Sequence, residues 1–470
     1  MGLLVMKFGG TSVGSAAAIG ALCAIVDEQR ATWGQAAVVV SAMSGVTDML
    51  IRGAATAAAG DRATYMELER QLREKHAVAL AELVGAGEEA RAVQGQIERL
   101  VDEFALLCHS VGVLGEASPR AMDAIASLGE RMSVRLVTAA LRARGIAAEA
   151  VDATELVLTT AEFGSAVPVY PQTRERTRAR LLPLMERGVV PVVTGFIGAT
   201  ESGAVTTLGR GGSDYSGAIV GAALDADEVA IYTDVDGVMT TDPRLVPEAR
   251  ILPVLSYAEM SELAYFGAKV LHPRTIRPVV ERGIPLRIRN TFNPSHPGTL
   301  VVAEAEPGGN PVKAVTSIRS MSLITVEGRG MIGVPGVAAR TFGAVARAGA
   351  NVLMISQASS EQSICFVVPG STSPSVVRAL EEGLRAEITR RDIDRVAARD
   401  DVVIVTAVGA GMRDTPGVAA QVFSALAARQ INVVAIAQGS SECAISVVVA
   451  GSDADAAVRA IHALTVAPAA

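Results

Sequence analysis

A stretch in the last third of the chain repeats itself at a fixed offset of 81 residues. Pro335-Gly336-Val337-Ala338-Ala339 recurs as Pro416-Gly417-Val418-Ala419-Ala420, and Asn351-Val352 as Asn432-Val433. Ile355, Gln357 and Ser359-Ser360-Glu361 recur as Ile436, Gln438 and Ser440-Ser441-Glu442. More than half the positions between 335 and 361 match their partners, so one small domain has been duplicated. Each copy reads strand, Pro-Gly loop, helix, strand, Gln-x-Ser-Ser-Glu turn, strand, helix, strand. That is the ferredoxin-like βαββαβ plan. The polar turn between apolar strands and the Pro-Gly loop at a helix start both favour a small polar ligand.

Ahead of the repeat, residues 1 to about 300 alternate short β-branched runs with longer helical patterns. The runs include Ala37–Ser41, Val189–Thr194, Val229–Thr233 and Ile284–Ile288; the helical patterns include 66–83, 90–111 and 120–144. Such alternation predicts a mainly parallel sheet sandwiched by helices, with ligands at the carboxyl ends of its strands. Pro294, His296-Pro297-Gly298 and Pro307-Gly308-Gly309 crowd the stretch 293–310, which reads as a linker or domain edge.

Hydrophobic residues make up 50% of the 470 and charged residues 19%, enough for large buried cores. With a net charge of −7, no basic run and a single Trp, a nucleic-acid partner is not expected. Cys23, Cys108, Cys365 and Cys443 are scattered through apolar surroundings, as in a reduced, cytoplasmic protein. No apolar run is long enough to span a bilayer, and no membrane role is expected.

Six stretches carry candidate chemistry. Lys7-Phe8-Gly9-Gly10-Thr11-Ser12 follows the strand Leu3–Val5 and leads into a helical pattern opening at Ser15, so backbone N–H groups and a helix start can meet an anion. Lys7 precedes the glycines, so this is not a P-loop. Ser41–Thr47 is a second hydroxyl-bearing turn at a strand end; capping of a helix is its bland alternative. Ser127-Leu128-Gly129-Glu130 lies in a helix whose core stripe is Ile125, Leu128, Met132 and Leu136, and the mid-helix Gly129 predicts a close approach beside the carboxylate. Gly209-Arg210-Gly211-Gly212-Ser213-Asp214 sets an Arg, able to grip a carboxylate or phosphate bidentately, in a glycine-rich turn. Thr233-Asp234, then Thr240–Arg244, and finally Phe266–Pro273 supply hydroxyls, carboxylates, Arg244 and Lys269 suited to a nucleotide; His272 reads as structural.

Taken together, these stretches resemble aspartate kinases of the amino-acid kinase fold, and the duplicated modules resemble their paired ACT domains. The resemblance implies an amino-acid kinase domain over 1–300 and ACT domains over 315–395 and 400–470. It implies ATP-dependent phosphorylation of the β-carboxylate of L-aspartate, with Mg2+ held mainly by phosphate and water. Carried over residue by residue, Lys7 neutralises the transferring phosphoryl group and Asp214 orients Lys7. Gly9, Gly10 and Thr11 hold phosphates; Ser41, Thr47, Glu130, Arg210 and Ser213 bind aspartate; and Thr233, Asp234, Met239, Arg244, Lys269 and Val270 bind ATP. Met239 stands where many relatives carry Tyr, and residues 1–5 read as an extension. Gln357 and Gln438 are the implied contacts for an amino-acid effector, threonine first and lysine second. The regulatory region looks like that of the bifunctional aspartokinase–homoserine dehydrogenases, without a dehydrogenase motif behind it, so a monofunctional kinase is expected. A homodimer or homotetramer is implied, and so are the lysine, threonine and methionine pathways as destinations of the product. The competing readings are another carboxylate-phosphorylating amino-acid kinase, such as one for glutamate, and a non-catalytic amino-acid sensor.

Overall fold

A computed structural model describes residues 2–267, 271, 273–305, 310–331, 334–357, 362–439 and 441–465. The chain folds as two units. The first comprises residues 1–238, 253–257 and 270–304; the second takes 239–252, 258–269 and 305–470.

The first unit opens with β1 (Gly2–Phe8), α1 (Ala16–Trp33) and β2 (Gly34–Val40). Four helices follow without an intervening strand: α2 (Val46–Ala58), α3 (Arg62–Val84), α4 (Glu88–Leu114) and α5 (Pro119–Ala143). Then come β3 (Ala148–Val151), α6 (Tyr170–Glu186), β4 (Val190–Thr194), β5 (Ile197–Ala199), β6 (Val205–Thr207), α7 (Gly212–Leu224) and β7 (Glu228–Thr233). The last elements before the repeats are β8 (Val254–Ser256), α8 (Tyr257–Tyr265), α9 (Pro273–Val280), β9 (Leu286–Asn290) and β10 (Thr299–Val302).

Eight strands form one sheet in the order β3-β4-β2-β1-β7-β9-β10-β8. Every pairing is parallel except β9 with β10. β1 lies mid-sheet and is buried from Leu3 onward, as a parallel strand covered on both faces must be. The core stripe expected on α5 is real: Ile125, Leu128, Met132 and Leu136 are fully buried in the main core with Phe8, Leu22 and Phe104. The stretch 293–310, expected as a linker or domain edge, contributes β10, which pairs with both β9 and β8, and the first unit ends within it at Glu304.

The second unit holds the repeats: β11 (Ala314–Glu327), α10 (Val337–Arg347), β12 (Met354–Gln357), β13 (Ser363–Pro369), α11 (Ser373–Gly383), α12 (Arg385–Arg390), β14 (Arg395–Val408), α13 (Val418–Ala427), β15 (Ala435–Gln438), β16 (Ala444–Ala450) and α14 (Ala454–His462). Its sheet runs β12-β13-β11-β14-β16-β15. β11 and β14 are both long, and their pairing is interrupted beside Ser320 and Asp401, which take left-handed φ of 60° and 51° and are themselves 81 residues apart. The C-terminal half of β11 pairs with β13 and with the first half of β14, completing the first repeat. The N-terminal half of β11 pairs with the second half of β14, which also pairs with β16. The fourth strand of the second repeat therefore precedes the first repeat in sequence. After α14 the described chain shows only a 3-10 turn at Ala463–Thr465, where a closing strand was expected.

α8 is tied into this second unit. Its Glu259 is fully buried, pairs with Lys313 at 3.0 Å and accepts the Ala410 N–H at 2.7 Å.

Candidate active site

Three neighbouring parallel strands, β2, β1 and β7, end at one edge of the large sheet, and the loops leaving them extend its ladder. Gly9 N–H donates to the Tyr232 carbonyl at 3.0 Å and Ser41 N–H to that of Phe8 at 3.1 Å. Gly195 N–H, after β4, donates to the Val40 carbonyl at 2.8 Å. Phe8 and Tyr232 stack beneath this edge with centroids 4.7 Å apart. The Ser12 hydroxyl donates to the Tyr232 carbonyl and accepts from Thr291 at 2.7 Å, so Ser12 serves the turn's architecture.

The loops close around a cavity of about 930 Å3. Lys7, Gly9, Gly10 and Thr11 line it after β1, Ser41 and Thr47 after β2, and Glu130 from α5. Arg210, Ser213 and Asp214 line it at the start of α7, and Thr233 and Asp234 after β7. Residues spread over more than two hundred positions thus meet at the carboxyl edge, where ligands of such sheets sit.

Lys7 is nearly buried, and its Nζ lies 2.5 Å from Asp214 Oδ1. Asp214 sits in the first turn of α7, where the helix dipole favours a carboxylate. Gly217 allows this proximity: a Cβ there would come within 2.9 Å of Lys7 Cβ. Glu130 is buried; its Oε1 accepts the Ala42 N–H at 3.1 Å, while Oε2 has no partner. Burial pushes its carboxyl up to about 8, against smaller opposing effects of the Ala42 N–H and the Lys7 ammonium. Arg210 is exposed to the cavity and has no ion-pair partner among the described residues. The cavity therefore presents one satisfied cation, one unpaired cation and a buried carboxyl with a vacant oxygen.

The close approach expected at Gly129 comes from the chain itself. A Cβ there would lie 2.8 Å from Ala42 Cβ and 3.3 Å from both Leu50 and Val46. The glycine lets α5 press against the turn before α2, which buries Glu130. Nor do the hydroxyls of Ser41–Thr47 cap α2. Its N-cap is Gly45, with φ of 79° and no side-chain hydrogen bond.

Met239 and Arg244 belong to the second unit and are not among the residues lining this cavity. Arg244 is exposed and paired with Asp242 at 2.7 Å. Lys269, Val270 and His272 lie outside the described residues. In the second repeat Gln438 lines a separate cavity of about 370 Å3 with Asp414, Thr415, Gly417 and Glu442. Gln357 and Gln438 are both exposed, at the ends of β12 and β15, and the turn after Gln357 lies outside the described residues.

Among the cavity residues that the sequence reading did not single out, Phe196 and Asp123 stand out. Phe196 holds φ of 69°, rare for a bulky side chain, and its N–H donates to the Ser216 hydroxyl at 2.8 Å. Asp123 is a buried carboxylate on α5. Its spacing of seven from Glu130, two helical turns on one face, was the available signal.

Comparison with known proteins fits this geometry. Residues 2–290 match the amino acid kinase family, and residues 324–384 and 405–464 each match an ACT domain. The chain belongs to the amino acid kinase family. Within it the chain is an aspartokinase homologue. It is 41% identical over 97% of its length to a chloroplastic bifunctional aspartokinase/homoserine dehydrogenase of Daucus carota, of which it covers 50%. Against the lysine-sensitive aspartokinase 3 of Escherichia coli it is 32% identical, covering 98% of each chain. The crystal structure of E. coli aspartokinase III in complex with aspartate and ADP superposes with a TM-score of 0.82 at 32% identity, over 99% of this chain and 100% of that one. The chain spans about half the length of the bifunctional relatives it matches. Among the described residues, no helix is long and apolar enough to cross a membrane.

Proposed function

We propose that the chain is an aspartate kinase, transferring the γ-phosphoryl group of ATP to the β-carboxylate of L-aspartate to give 4-phospho-L-aspartate and ADP. A bond forms between a carboxylate oxygen and the γ-phosphorus as the bond to the departing ADP oxygen breaks. The observation that carries the proposal is the convergence on one cavity of the Lys7–Asp214 pair, the unpaired Arg210 and the vacant Oε2 of Glu130.

Phosphoryl transfer calls chiefly for positioning and charge neutralisation. Lys7 lies beside the developing phosphate charge, held by Asp214. Gly9, Gly10 and Thr11 offer N–H groups and a hydroxyl to the phosphates. Glu130 receives the substrate ammonium and Arg210 a substrate carboxylate, with Ser41, Thr47 and Ser213 completing the pocket. Thr233 and Asp234 are the proposed nucleotide contacts at this cavity; Met239, Arg244, Lys269 and Val270 remain what the resemblance implies. Mg2+ neutralises the phosphates when bound; the described residues offer no cluster of three or more metal-ligating side chains, and Asp214 and Asp234 are the carboxylates at hand beside hydrated metal.

An amino-acid effector at the repeats, contacted by Gln438 and Gln357, completes the proposal, with threonine as the first candidate and lysine, to which the E. coli relative is named as sensitive, as the second. It regulates only by binding two states of the enzyme unequally. A coupled ADP-release assay with aspartate, glutamate or no amino acid tests the activity. Release that needs aspartate and collapses in Lys7→Ala is expected; equal rates with all three, or an unaffected Lys7→Ala, overturn the assignment.

A further inference from the structure

Arg210 and Glu130 line one cavity from elements far apart in sequence, and a two-ended ligand needs them at a set separation. One side chain ties the two elements together. Asp123 is 3% exposed, on the same face of α5 as Glu130. Its Oδ2 accepts the N–H groups of both Gly164 and Thr207 at 2.9 Å, and its Oδ1 accepts the Thr207 hydroxyl at 2.7 Å. Thr207 is the last residue of β6, immediately before the turn that carries Arg210. Gly164 supports the same turn from the other side: a Cβ on Gly209 would meet its carbonyl at 3.1 Å, and Ala166 N–H donates to the Thr207 carbonyl at 2.9 Å.

We infer that Asp123 is a positioning residue whose carboxylate locks the Gly209–Gly212 turn to α5 and so sets the distance between Arg210 and Glu130. The inference rests on the proposed aspartate site. With three donors already aimed at it, Asp123 acts through the turn rather than on the substrate. A burial role alone is a poor account of it, because a buried carboxylate is costly unless it organises its donors.

The test uses the full chain with Asp123→Asn, Thr207→Val and Thr207→Ser. Asp123→Asn removes the charge and leaves one acceptor oxygen, so its N–H2 faces either the two backbone N–H groups or the Thr207 hydroxyl. Thr207→Val removes the hydroxyl bond alone, and Thr207→Ser keeps it. In Asp123→Asn the KM for aspartate should rise about tenfold or more, as expected for loss of a charge-assisted hydrogen bond, while the KM for ATP stays within about twofold. Thr207→Val should shift the aspartate KM in the same direction by less, and Thr207→Ser should restore it. Equal rises in both KM values, or a lowered Tm with unchanged KM values, overturn the inference. Should Asp123→Asn not fold, the Val/Ser pair at position 207 decides alone. Amide hydrogen exchange across residues 205–214 separates this inference from the proposed function. Faster exchange there in Asp123→Asn or Thr207→Val supports the lock even if the unsubstituted enzyme ignores aspartate, whereas unchanged exchange sinks it.

Discussion

Helices α2 and α7 of the first unit and α10 and α13 of the second start in the same way, on a glycine in the left-handed region with no side-chain cap. The caps are Gly45, Gly211, Gly336 and Gly417, with φ of 79°, 72°, 83° and 88°. Helices α1, α3 and α5 start instead on Ser15, Asp61 and Ser118, whose side chains accept an N–H of the first turn. A side-chain cap uses up a donor; a glycine cap leaves the first-turn N–H groups for something else. Gly45 and Gly211 line the large cavity of the first unit and Gly417 the smaller one of the second repeat. What divides the two cavities is charge. The first adds Lys7, Asp214, Glu130 and Arg210 to the shared device, the second Gln438, Thr415 and the carboxylates of Asp414 and Glu442. Moving a phosphoryl group needs cations beside developing negative charge; holding an amino acid needs hydrogen bonds and a partner for its ammonium.

The largest blow to this contrast would come through Lys7. Lys7→Ala should lower kcat about a thousandfold, the scale seen when one preorganised transition-state donor is removed. The coupled ADP assay reads it, and a rate within a factor of ten of the parent would mean that the first cavity does not depend on its buried cation. Arg210→Ala comes next. It should cut kcat/KM for aspartate about ten- to a hundredfold, the worth of a hydrogen bond to a charged group, and leave the KM for ATP nearly unchanged.

Glu130 gives the comparison a pH dependence. Its carboxyl is raised to about 8 by burial, so at pH 7 the empty site holds it mostly protonated. An arriving ammonium favours the carboxylate, so aspartate binding at pH 7 should release about one proton per site, fading above pH 9. Calorimetry in buffers of different ionisation enthalpy measures this, and Glu130→Gln should abolish it. The sign for folding follows from the same shift. A carboxyl raised in the folded state stabilises below its unfolded pKa and loses that contribution as pH rises through its folded value. The ligand-free protein should therefore lose stability between about pH 4.5 and 8, and Glu130→Gln should flatten that slope.

Much of the first cavity was legible because each of its parts is local. Lys7 before Gly9-Gly10, Arg210 among glycines and Asp214 at a helix start each announce an unusual turn within a few residues. Asp123 announced nothing, since its partners Gly164 and Thr207 lie 41 and 84 residues away and a single Asp in an amphipathic helix looks like a solvated one. The glycine at 129 announced a close approach, and the partner is the chain itself: it packs α5 against Ala42, and that packing buries the neighbouring carboxyl. In the second unit the duplication was plain from its register, yet the strand that completes the second repeat is the first half of β11, ahead of the first repeat. Periodicity identifies a strand but does not name its neighbour, and here the breaks at Ser320 and Asp401 decide which repeat each half-strand serves. The inclusion of residues 239–252 and 258–269 in the second unit is likewise a property of packing that no local pattern records.

The second cavity carries smaller expected effects. A ligand at a hundred times its Kd adds about 2.7 kcal/mol to the folded state. Threonine, or failing that lysine, should raise Tm by a few degrees on that scale. Gln438→Ala, which alters a wall of the smaller cavity, should remove the shift. A shift that survives Gln438→Ala would take the effector out of that cavity.

The smallest effect tests the shared device itself. Gly45 and Gly417 both have left-handed φ and nothing within 4 Å of an added Cβ, so alanine at either position strains only the backbone. The cost should be about 1–2 kcal/mol at each site, lowering Tm by a few degrees alike in the two variants. Their ligand responses should then diverge. Gly45→Ala displaces the first-turn N–H groups of α2 beside Thr47 and should raise the KM for aspartate without touching the effector shift. Gly417→Ala should blunt the effector shift and leave the KM alone. Two variants equally destabilised but silent toward both ligands would show that the glycine caps serve only the turns in which they sit.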